Sequence, residues 1–216
     1  MKRLFFGILL CVFTTLTVNA QNYKFKVDKE GNCDITDTIS INVTKPDCYR
    51  IIKEWLYTIS CVSLSFSNEK KNESLTFHNV FYTQKRYNSF SGTYSDNLSI
   101  DCDMKIENGK LIYHIYNITL IKAYTGYGAS LLKYPVAERI FKINMAKTEI
   151  ERLNADKTIA KADKREAIEV QQSILNDEEV LAKCYDVLME RIANLQKMVQ
   201  WTNQTEEDDT EEIPFQ

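Results

Sequence analysis

Residues 98–115 constrain the fold more tightly than any other part of the chain. Leu98, Ile100, Cys102, Met104 and Ile106 alternate with polar residues, Asn108-Gly109 follows, and Leu111, Tyr113 and Ile115 resume the alternation. A period of two sends successive side chains to opposite faces of a strand. Asn-Gly between two such runs is the strongest short hairpin signal, because a type I′ turn needs positive φ at both central residues. A two-residue loop then fixes the register. Glu107 faces Lys110, Ile106 faces Leu111, Met104 faces Tyr113 and Cys102 faces Ile115. The apolar pairs all share one face, so turn and pattern agree. On the other face Asp103 lies across from His114. An acid–base couple is one reading of that pair. The plainer reading is a solvated cross-strand ion pair, contributing about 0.2–1 kcal/mol.

A sheet with one apolar face needs a cover, and residues 44–59 supply it. Thr44 reads as a helix N-cap, Pro46 fits the first turn, and Asp47 stands three residues after the cap. Tyr49, Ile52, Trp55, Leu56 and Ile59 then recur at helical spacing and make one apolar stripe. Trp55 is expected to pack this helix on the sheet; stacking on a ligand is its other use. Residues 22–27 alternate weakly, Glu30-Gly31-Asn32 is a turn, and residues 33–43 carry Ile35, Ile39, Ile41 and Val43. These two runs are expected to form an opening hairpin. Residues 61–67 alternate through Val62, Leu64 and Phe66, residues 74–82 are apolar and aromatic, and residues 86–96 read as a polar loop or edge. The order is β-β-α-β-β-β-β. The expected fold class is α+β, an antiparallel sheet with one packed helix, followed by a helical C-terminal region.

Residues 121–134 read as a connector, with Gly126 and Gly128 as breakers. Pro135 opens a helix whose apolar stripe is Val136, Ile140, Ile143, Ile150 and Leu153, and residues 154–157 break it. Asp163 with Glu166 is a capping pair for a second segment. Asp177 reads as the N-cap of a third, with Glu178 and Glu179 in its first turn. Leu181, Cys184, Leu188, Ile192, Leu195 and Val199 recur at 3, 4, 4, 3 and 4, a heptad-like, coiled-coil seam. That seam can fold back on the 136–153 helix, dock on the sheet, or pair with a second copy through residues 178–200. The expected organisation is a leader over residues 1–20, an α+β domain over 21–121, a helical region over 135–201 and a disordered acidic tail over 202–216.

The leader is read from its three parts: cationic Met1-Lys2-Arg3, an apolar run over residues 4–13, and a polar exit ending Val18-Asn19-Ala20. The run falls short of the roughly 20 apolar residues of a spanning helix. Lipid attachment at Cys11 is disfavoured by bulky Leu10 before it. No later segment is apolar enough to span a bilayer, so the expected location is the periplasm, the cell surface or the outside. Cys33, Cys48, Cys61, Cys102 and Cys184 remain once Cys11 is cut away. Export permits disulfides, and Cys61–Cys102 is the first pair to test. No Cys-x-x-Cys or zinc spacing occurs, and the simpler expectation is small buried apolar residues.

With 30 Asp and Glu against 27 Lys and Arg, the chain lacks the cationic bias that phosphate backbones demand, and no nucleic acid partner is expected. Gly-x-Ser-x-Gly, phosphate-binding glycine loops, His-Glu-x-x-His and calcium loops are absent from the sequence. Neither His78 nor His114 has a nucleophile motif nearby, so no catalytic residue, metal or cofactor is assigned. The expected function is a non-catalytic interaction or structural module that engages a protein, peptide or glycan. The alternative is a hydrolase of envelope or dietary polymers that uses two carboxylates. Tyr82, Tyr87, Phe90 and Tyr94 are the candidate binding surface, since Tyr offers contact area at low entropic cost. Their other use is to tuck a loop onto the sheet.

The strand at residues 35–43, the helix opening Thr44-Lys45-Pro46-Asp47 and carrying Trp55, and the hairpin at residues 100–116 together resemble an exported Gram-negative bacterial family, domain-of-unknown-function family 4468. The resemblance covers residues 24–120 and implies a TBP-like fold. The family has no assigned activity, so the resemblance carries over no catalytic residue. A fold name does not imply DNA binding.

Overall fold

The Asn108-Gly109 hairpin anchors the sheet. In the computed structural model, which describes residues 24–59, 61–88, 92–126 and 129–201, β4 (Gly92–Glu107) pairs with β5 (Lys110–Gly126). The expected pairs all occur: Glu107 with Lys110, Ile106 with Leu111, Met104 with Tyr113, Cys102 with Ile115 and Asp103 with His114. The turn itself differs from expectation. Only Gly109 has positive φ, at 75°, so the turn is not type I′. The register survives because the loop length and the apolar face both demand it.

β3 (Ser74–Asn88) pairs with β4, and β2 (Cys61–Lys70) pairs with β3. β1 (Ile35–Ser40) lies along the first half of β5, and β6 (Ser130–Pro135) along its second half. The order is β1-β5-β4-β3-β2, with β6 also on β5, and every pairing is antiparallel. Three expectations are corrected here. Residues 24–34 form no strand, so there is no opening hairpin; Phe25 is buried and its ring meets Tyr185 edge-on at 5.1 Å. The 86–96 stretch belongs to β3 and β4 where it is described. The 121–134 connector is largely sheet, because β5 runs on to Gly126 and β6 returns along it.

A bulge divides β5. Asp101 pairs with Tyr116 and Ser99 with Thr119, which leaves Asn117 and Ile118 opposite Ile100. Asn117 has φ 51°, a left-handed conformation that Asn tolerates better than most residues. The extra residue switches the parity of the strand. Leu111, Tyr113 and Ile115 point inward before it, and Ile118 and Leu120 after it.

Helix α1 (Lys45–Thr58) is capped as expected: the Asp47 N–H donates to Thr44 Oγ1 at 3.3 Å. Its buried residues are Cys48, Ile51, Ile52, Trp55 and Leu56. Trp55 is buried and its Nε1–H donates to the Arg191 carbonyl at 3.1 Å, so it joins two helices and is not a ligand platform. Helix α2 (Val136–Ala155) ends at the expected break. Helix α3 then runs without interruption from Lys161 to Trp201, 41 residues, with no Gly or Pro inside it. The expected separate start at Asp177 is therefore corrected. Asp177 is a buried acid in mid-helix, ion-paired with both Lys122 of β5 and Arg139 of α2.

The seam Leu181, Cys184, Leu188, Ile192, Leu195 and Val199 is buried in the same core as the sheet and the other helices. It is consumed within the chain, which leaves no exposed seam through which residues 178–200 would pair two copies. All three helices cover one face of the sheet, and no described helix lies on the other. The 1–20 leader and the 202–216 tail lie outside the described residues.

Candidate functional site

Strand alternation and cross-strand pairing define the uncovered face. Ser74, Thr76, His78, Val80 and Tyr82 of β3 line up with Lys105, Asp103, Asp101, Ser99 and Asn97 of β4. His114 and Ile112 of β5 continue the rows to Thr36 and Thr38 of β1. Towards the β2–β3 turn this face forms an open groove of about 960 Å³, whose lining includes Lys45, Lys71, Thr76, Asp103, Lys105 and His114. Its rim acids are neutralised. Glu73 is pulled below the usual carboxylate range by Lys70, and Glu107 by Lys105 and then Lys110.

The expected Asp103–His114 couple is in register across β4 and β5. His114 Nε2 instead lies 3.2 Å from Asp34 Oδ2, and its ring stacks on Tyr116 at 5.0 Å. Burial, then the nearby Asp103 and Asp101 carboxylates, push the Tyr116 phenol upward.

The other histidine is more elaborately held. His78 Nδ1 is 2.7 Å from Asp101 Oδ1, its direct cross-strand partner. His78 Nε2 is 3.3 Å from Ser99 Oγ. Asn117, at the bulge, donates from Nδ2 to Asp101 Oδ2 at 2.8 Å. Ser99 is only 7% exposed and Asn97, next along the same face, 4%. Asn97 makes one long bond, to Ser95 Oγ at 3.4 Å, and its Oδ1 has no partner. The sequence gives no local sign of this cluster. Its residues come from three strands, and only the β3–β4 register and the β5 bulge bring them together.

The aromatic residues singled out in the sequence do not share one described surface. Tyr82 is half-exposed on the uncovered face. Tyr94 has the parity of Leu98 and so points to the helix side, where its ring lies 4.6 Å from that of Tyr124. Tyr87 lies opposite Thr93 in β3, with its side chain outside the described residues, and Phe90 lies outside them altogether.

Carboxylates of raised pKa do not converge in the groove. The displaced acids Asp28, Glu73, Glu107, Glu149 and Asp156 all move downward, through hydrogen bonds to the Asn32 backbone, Lys70, Lys105, Arg152 and Thr158 respectively. Among the described residues no cluster of three or more His, Cys, Asp or Glu has metal-ligand geometry. Cys33, Cys48 and Cys102 are buried free thiols, so the Cys61–Cys102 disulfide is not formed, and the buried Cys184 thiol donates to Thr83 Oγ1 at 3.3 Å. No described helix is long and apolar enough to cross a membrane.

No protein-family model and no curated protein matches the chain. Two solved structures are similar to it. One is a DUF4468 family protein from Bacteroides ovatus ATCC 8483, at 12% identity, covering 78% of this chain and 88% of that one, with a TM-score of 0.41. The other is a TBP-like protein from Parabacteroides distasonis ATCC 8503, at 12% identity, covering 80% and 95%, with a TM-score of 0.48.

Proposed function

We propose that the protein is an exported interaction module of the bacterial cell envelope that works by contact through its uncovered sheet face. One observation carries this reading. The helices cover one side of the sheet, while the other presents hydroxyls, amides and charges over an open groove. Such a face suits a polar partner, a protein, peptide or glycan, that supplies matching hydrogen bonds. Tyr82 belongs to this face, and Tyr87 follows it along β3. Export rests on the leader at residues 1–20. The hydrolase built on two carboxylates gains nothing from the acids in the groove, whose displaced members are held ionised.

The test is affinity capture from a cell-envelope extract with the purified protein, beside a variant carrying Thr76→Arg and Tyr82→Ala. A partner recovered by the native protein and lost with the variant is expected. Equal recovery by both, or finding the protein in the cytosol with Met1 retained, would remove the proposal.

A further inference from the structure

We propose that Ser99 is a nucleophile, with His78 as its general base, in a site on the uncovered face that hydrolyses small acyl esters. The parts and their order are those that acyl transfer requires. A hydroxyl lies within reach of an imidazole nitrogen, and a carboxylate holds the other nitrogen. His78 Nδ1 lies 2.7 Å from Asp101 Oδ1, and in the tautomer that carries its proton on Nδ1 the Nε2 lone pair faces Ser99 Oγ. Asn117 fixes the carboxylate from its second oxygen, and does so from a backbone conformation that only the bulge imposes. His78, Asp101 and Asn117 therefore form a chain of supports that ends at Ser99.

Two further observations point to a site. The fold has no need to bury polar groups on a face without helices, yet Ser99 and Asn97 are both almost fully covered. The Asn97 Oδ1 atom is left without a partner, and buried polar groups are nearly always satisfied. Asn97 and Ser99 are two residues apart on one strand and share a face, so their side chains stand about 7 Å apart along it.

The reaction balances with water alone. Ser99 Oγ attacks the ester carbonyl carbon while its proton passes to His78 Nε2. The bond from that carbon to the alcohol oxygen breaks, and the leaving alcohol takes the proton. Water, deprotonated by Nε2, then attacks the acyl carbon, the bond to Oγ breaks, and Ser99 recovers the proton. Ser99 is flanked by its cross-strand partners Val80 and Thr119. The alcohol portion would extend past His78 and Asp101 into the groove at Thr76 and Asp103. The substrate class is a small acyl ester.

The inference is independent of contact through the same face, since capture of a partner and turnover of an ester are read separately. The purified full chain is treated with a fluorophosphonate probe and mapped by peptide mass. An adduct on Ser99 is expected; no adduct, or one elsewhere, overturns the proposal. Hydrolysis of p-nitrophenyl acetate is then followed. Free imidazole also cleaves this ester, so Ser99→Ala is the deciding variant. It should lose at least a hundredfold in kcat/KM, and native rates in a folded Ser99→Ala protein overturn the proposal. Asp101 is a positioning residue: Asp101→Asn should lower kcat and displace the pH profile, with partial rescue by Asp101→Glu.

Discussion

The two faces of the sheet are made by alternate residues of the same strands, yet they differ in almost every respect. On the helix side Leu75, Phe77, Phe81, Leu98, Leu111 and Leu120 are buried in one core with the three helices. On the other side Ser74, Thr76, His78, Ser99, Asp101 and Asp103 form cross-strand rows on the face opposite that core. The difference separates what the fold needs from what it tolerates. Burial of the first set drives folding. The second set is free to serve another end, and its polar network around His78 is ordered without any help from the core.

The sharpest way to break the comparison is on the helix side, at Asp177. Its carboxylate joins α3 to β5 and α2 through Lys122 and Arg139. Asp177→Ala strands a largely buried guanidinium, and losing one partner of a buried pair costs about 3–5 kcal/mol. A urea melt should show that loss, whereas Glu169→Ala, which removes the exposed Arg165–Glu169 pair, should leave the midpoint unchanged. An unchanged midpoint for Asp177→Ala would mean that apolar packing alone docks α3. Leu120→Ala tests that packing directly and should cost about 2–5 kcal/mol.

These contrasts also show which parts of the molecule are legible in sequence. The hairpin at Asn108-Gly109, the Thr44 cap and the apolar seam of α3 are local signals, in which spacing along the chain is itself the structural statement. Asp177 misleads because Asn176-Asp177 followed by two glutamates looks like a helix start, and only tertiary partners show why the acid stands in mid-helix. The extended β3–β4 hairpin is hidden for another reason. Its polar residues at 83–96 keep no simple alternation, since a register shift between Tyr82 and Gln84 breaks the count. The Ser99–His78–Asp101 cluster is the least legible part. Ser99 and Asp101 are neighbours on one strand, but His78 reaches them only through the β3–β4 pairing.

Alkaline pH should weaken the helix side before it affects the open face. Burial raises the thiols of Cys33 to about 12 and Cys48 to about 11, and pushes Cys102 further in the same direction. A raised folded pKa contributes stability in full below the unfolded value, near 9.0. That contribution is lost as pH rises through the folded value. Melts should therefore hold level up to about pH 9 and decline from there towards 11, and Cys48→Ala should flatten the decline. In the folded state at pH 8, iodoacetamide should leave these thiols unmodified, because the thiolate is the reactive form. Rapid labelling without unfolding would show that the core opens more readily than its packing implies.

The smallest effect on stability belongs to the open face, and there the comparison becomes most informative. Thr76 lines the groove on the face opposite the apolar core. Thr76→Ala should change the unfolding free energy by no more than about 0.5 kcal/mol, as is usual for surface positions outside caps, cores and networks. If this face works by contact, the same variant should still weaken capture of the envelope partner. A residue whose removal the fold barely registers but the partner does is one that the sheet carries for binding. Should Thr76→Ala destabilise the protein as much as Leu120→Ala, the uncovered face is structural after all, and the division between the two sides of the sheet fails.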